Sequence, residues 1–181
     1  LPIYLRPLER ARFAPVAATP TAAAAATSRA AEVATPAKLD GFARYTFVDG
    51  IFAPALSSPQ HAVGLTVRSL RCAIQGAPGQ PGTAALLPLP RALPALSSLP
   101  EARLALLNEA FATDTAVIHV ASAASAAAMA ARVELVFIAL SGADTGAIYP
   151  RVQVSLDPAS RLVLVERHLS AGAGEIGRAH V

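Results

Sequence analysis

The chain has 181 residues, a formal net charge of +3 and a pI of about 9.6, which suits one domain with an attached leader. Its 54% hydrophobic content is inflated by alanine, which supplies roughly a quarter of all residues, well above ordinary usage. Fourteen of the fifteen basic residues are Arg, but only Arg6, Arg10 and Arg12 cluster and no aromatic pair lies among them, so a nucleic-acid surface is not expected.

In chain order, residues 10 to 40 are dominated by Ala, Pro and Thr. Ala22 to Ala26 favour a helix, Pro15, Pro20 and Pro36 interrupt it, and a linker or loosely packed helical leader is expected. Tyr45-Thr46-Phe47-Val48 and Ile51-Phe52 flank Asp49-Gly50, and Asp-Gly tolerates the positive φ angles of a two-residue hairpin. Val63, Leu65 and Val67 alternate with Gly64 and Thr66 as a further strand. Cys72, the only cysteine, cannot form an internal disulfide, which fits a reducing compartment and a cytoplasmic setting. Gln75 to Gly82 is a loop by its Gly and Pro content, and it lacks the Lys-Ser/Thr pair of a phosphate loop. Pro88, Pro90 and Pro94 keep the next stretch irregular.

Ser98-Leu99-Pro100-Glu101 has the Ser-x-x-Glu form of a capping box, and Leu104, Leu107 and Phe111 then share one helical face. This spacing predicts a helix ending at Asp114, its apolar stripe laid against a sheet that starts at Val117. The window from Ala121 to Leu140 is the most membrane-like, but Arg132 and Glu134 lie in it and no span is expected. From there the pattern is β to the end. Val133, Leu135 and Phe137 alternate with Glu134, Val136 and Ile138; Val152, Val154 and Leu156 alternate with Gln153 and Ser155; Leu162 and Leu164 alternate with Val163 and Val165. Asp157-Pro158-Ala159-Ser160 makes a tight corner, and Asp144 is read as a turn residue. Strands apolar on both faces require material packed on each side, and their succession without helices leaves a sandwich, a barrel or a β-helix open.

Four stretches resemble, in order, motifs of the SufB/SufD family of the SUF iron–sulfur cluster assembly system, and of its SufD branch in particular. Arg44 to Pro54 is similar to that family's "LVFVDGxFxPELS" hairpin, Leu104 to Val120 to its "LNxAFxxDGAVI" passage from helix to strand, Tyr149-Pro150-Arg151 to its "HPR", and Leu162 to Glu166 to its "ATLVE" strand. Tyr4 to Leu8 resembles the end of "WKYTDLRPL". Thr115 stands where the family has Gly, Ala121-Ser122-Ala123 where it has Pro-Ala-Gly, and Tyr149 where it has His.

The resemblance implies a mainly β fold with a minor helical part: a hairpin and a short helix followed by the start of a right-handed parallel β-helix. It divides the chain into a leader or linker (1–40), a hairpin and helical region (41–114), the first coils of a β-helix (115–174), and a tail (175–181) that reads as translated sequencing adapter. It implies a non-catalytic scaffold subunit working with a SufB-like paralogue and a SufC-like ATPase, with neither nucleic acid nor membrane as partner. No residue is expected to be catalytic, cofactor-binding or metal-ligating, because the family's cluster-linked residues lie in a later part of the β-helix. A carbohydrate-active β-helix enzyme, drawing on Asp144, Asp157 and Glu166, and a purely structural β-solenoid are the alternatives.

His119 and His168 are the imidazoles on predicted strands, with Asp114 and Glu166 near them in sequence. Glu166 and His168 share a face, being two apart on a strand, but a metal site needs three or four converging ligands. A hydrogen-bonded or surface role is therefore the expectation for both, and Cys72 beside Arg71 is read as inert.

Overall fold

The computed structural model describes residues 14–15, 30, 37–59, 64–71, 108, 110–122, 130–140 and 146–170. Several sequence expectations lie outside them: the Ala22–Ala26 helix, Val63, Cys72, the loop from Gln75, the prolines from Pro88 to Pro94, the Ser98 cap with Leu104 and Leu107, Asp144, and the 175–181 tail.

The described residues are mainly β. In chain order the strands are β1 (Ala14–Pro15), β2 (Ala43–Val48), β3 (Ile51–Phe52), β4 (Leu65–Ser69), β5 (Ala116–Val120), β6 (Ala131–Ala139), β7 (Gly146–Ala147), β8 (Val152–Leu156) and β9 (Leu162–Ser170), with a 3₁₀ turn at Pro54–Leu56. The expected Asp-Gly hairpin joins β2 to β3: Val48 pairs with Ile51, and Asp49 and Gly50 both carry positive φ, 47° and 79°. The corner at residues 157–160 forms as expected, closed by Ser160 N–H on the Asp157 carbonyl at 3.1 Å, with Ala159 at a φ of 64°.

Three sheets result, in the orders β3-β2-β6-β9, β4-β5-β8 and β1-β7. The hairpin strand β3 pairs antiparallel with β2 and β4 pairs antiparallel with β5, each at one edge of a larger sheet, and every other pairing between these strands is parallel. Two consecutive strands, β5 and β6, are followed by two more, β8 and β9, that lie beside them in the same sense. Ile118 pairs with Val154, 36 residues on (118 to 154), and Val133 with Leu164, 31 residues on (133 to 164). The first connection holds ten residues (121–130) and the second five (157–161), and that difference accounts for the two offsets.

The inner faces of the two larger sheets share one apolar cluster. Tyr45 and Phe47 from β2, Ala116, Ile118 and Val120 from β5, and Val133, Leu135 and Phe137 from β6 are buried in it. Ile118, Val133 and Leu135 are wholly buried, each contributing about 1.5–3 kcal/mol by leaving water. The opposite face of β2 and β6 is also covered: Val48, Val136, Ile138 and Leu140 pack with Ala53 and Ala30.

Phe111 departs from expectation. It is 41% exposed and packs on Tyr149, ring centroids 5.6 Å apart, instead of entering the cluster. The reason is local: the helical residues before Ala112 are held to the loop before β8 by Asn108 Nδ2, which donates to the Pro150 carbonyl at 2.7 Å.

Candidate functional site

Polar chemistry in the described residues gathers at four places. On the outer face of the β4-β5-β8 sheet, His119 stands opposite Thr66 of β4 and Ser155 of β8. Alternation along β5 sends Ile118 inward and His119 outward. Its Nε2 lies 3.1 Å from Asp157 Oδ1 at the end of β8, and Asp157 Oδ2 accepts from Ser122 N–H at 3.1 Å. The Asp157 backbone N–H also donates to the Val120 carbonyl at 2.9 Å. The His119 hydrogen bond first, then the Ser122 N–H, hold the Asp157 carboxyl below its usual range, slight burial opposing and the His119 charge assisting.

On β9, Glu166 and His168 share a face as expected, His168 Nε2 lying 3.5 Å from Glu166 Oε2. Register places His168 opposite Phe137, Phe137 opposite Phe47 and Phe47 opposite Phe52. The rings form a ladder across four strands, with centroid separations of 5.5, 5.4 and 5.0 Å from Phe52 to His168.

Two buried carboxylates complete the inventory. Glu134, wholly buried in β6, receives Arg44 Nε at 2.8 Å and Nη2 at 3.0 Å, and Arg167 Nε at 2.9 Å. These are charges on three adjacent parallel strands, β2, β6 and β9. Burial pushes the Glu134 carboxyl up, but the Arg44 hydrogen bond and charge, the Leu39 backbone and the Arg167 charge outweigh it and leave the value lowered. Asp114 accepts from four donors: Ser69 Oγ at 2.6 Å and Phe52 N at 3.2 Å on Oδ2, Thr115 N at 2.7 Å and Arg71 N at 3.0 Å on Oδ1. It fastens β3, the end of β4 and the start of β5 together.

The expected neighbourhoods are thus half realised. Glu166 and His168 meet; His119 turns to Asp157, while Asp114 points into the sheet junction. Sequence reasoning passed over the Arg44–Glu134–Arg167 triad and the Asp114 hub. Glu134 carried a usable signal, since an acid between Val133, Leu135 and Val136 in a strand buried on both faces demands a cation. Among the described residues no three His, Cys, Asp or Glu side chains converge as a metal site would need. No described helix is long and apolar enough to cross a membrane. Asp114, Glu134 and Asp157 are all spoken for by donors, and this is the chemistry of fastening strands. No protein-family model matches the chain, and no curated protein matches it.

Proposed function

We propose that the chain is a scaffold subunit of the SufD kind, without catalytic residues of its own, acting in iron–sulfur cluster assembly beside a SufB-like paralogue and a SufC-like ATPase. The observation that carries this reading is the ordered set of motif likenesses from Arg44 to Glu166. The parallel pairings support it. Strands β5 and β6 repeated alongside by β8 and β9 are what the opening coils of a right-handed parallel β-helix would present, with an antiparallel meander as the arrangement that would have opposed it. A stack of this kind suits a platform: its ladders are long and stiff, and inward side chains of one coil rest on those of the next. The cluster would be cargo of the full assembly, and a cytoplasmic setting goes with a chain carrying one thiol.

The test is co-expression of the tagged chain with SufB and SufC proteins, followed by gentle affinity purification and mass measurement. Recovery of a complex containing all three is the expected result. Recovery of the chain alone, folded and free of both, overturns the assignment.

A further inference from the structure

Asp157 carries more bonds between the successive strand pairs than a turn residue needs. Its backbone N–H reaches Val120, one carboxylate oxygen meets His119 and the other accepts from Ser122 N–H. Its own carbonyl closes the corner to β9 by accepting from Ser160 N–H and Ser160 Oγ. The exit of β8 is thereby clasped onto the exit of β5, and the clasp pairs an imidazole with a carboxylate.

We propose that this clasp is proton-linked: His119 tightens the β5–β8 corner when protonated and relaxes it when neutral, making the start of β9 the pH-sensitive point of the stack. The inference is independent of any assembly role. Facing His119 among the described residues are Thr66 and, two positions along the same face of β4, Arg68; from β8 come Ser155 and Gln153; Ser122 follows β5. Asp157 is the acid that meets His119, and Arg68 is the cation that register places on the same face. With His119 charged, the 3.1 Å contact is a charge-assisted hydrogen bond to a carboxylate already held by a backbone N–H. With it neutral, a ring N–H can still donate to the carboxylate, but the attraction between opposite charges is lost. Both side chains are partly exposed, at 27% and 41%, so solvent keeps the effect to about a two- to five-fold change in local opening.

Amide hydrogen exchange of the whole chain, corrected for intrinsic rates, reads this directly at Ser122, Asp157 and Ser160. Protection is expected to be about two- to five-fold higher at pH 5.5 than at pH 8, and flat with pH in His119→Gln and in Asp157→Asn. In the unaltered chain the Ser122 amide resonance is expected to move with the His119 ring titration. Protection that does not vary with pH, a Ser122 resonance indifferent to His119, or pH dependence retained in either variant overturns the proposal.

Discussion

Glu134 shows how much a single residue can demand of its surroundings. It is wholly enclosed, and its charge is held chiefly by Arg44, which grips it with two nitrogens, and by Arg167 with a third. Removing the acid takes from both guanidinium groups the buried anion they share. Glu134→Ala is therefore expected to lower the unfolding free energy by about 3–5 kcal/mol, measurable by urea titration. Replacing all three residues by apolar ones of similar volume is expected to cost far less, because no buried charge is left uncompensated. The pH dependence has a definite sign. The folded carboxyl lies below its ordinary value, so its contribution is complete above about pH 4.3 and disappears as pH falls through the depressed folded value. The acid limb of the stability curve is expected to be shallower in Glu134→Gln than in the unaltered chain; equal slopes would mean the triad is not ionised. Asp114 works without a cation: four donors converge on it, and Asp114→Ala is expected to cost about 3 kcal/mol by stranding them.

At the scale of elements, the β2–β3 hairpin depends on Gly50. Its φ of 79° is one that side chains avoid, and a Cβ there would stand 2.7 Å from Thr113 Oγ1 and 3.2 Å from the Ile148 side chain. Thr113 Oγ1 itself donates to the Gly50 carbonyl at 3.1 Å, so it cannot swing away without breaking that bond. Gly50→Ala is expected to destabilise the protein by about 2 kcal/mol and to accelerate exchange at Phe52 and Ala53 first. The hairpin was legible in the sequence because its instructions are local: two residues with tolerance for positive φ, flanked by alternating strands. The 157–160 corner was legible for the same reason, and so were β6, β8 and β9. Partners were not legible. Nothing in Asp114 announces that Ser69 and Arg71 will arrive from forty-odd residues upstream, and Phe111, apolar and correctly spaced, is held outside by a bond from Asn108 to Pro150.

For the whole molecule, the repeat of β5–β6 by β8–β9 is hidden from sequence periodicity by the unequal connections, ten residues against five. Register reveals it, because Ile118 stands beside Val154 and Val133 beside Leu164 on parallel neighbours. A structure joined this way is cooperative in a particular manner. One apolar cluster collects residues from both larger sheets, with β2 and β6 contributing from one and β5 from the other. Neither sheet keeps a core of its own on that side if the other leaves. Ile118, wholly buried in β5, is the position at which to test this. Ile118→Ala removes three carbons from a packed interior, and a loss of about 2–5 kcal/mol is expected, depending on how far the cavity collapses. The sharper expectation concerns where the loss is felt. Amide protection is expected to fall in β6, on the opposite sheet, by the same factor as in β5, because the two open together. A drop confined to β4, β5 and β8, with β2 and β6 unchanged, would mean that the sheets are separate cooperative units and that the shared cluster does not couple them.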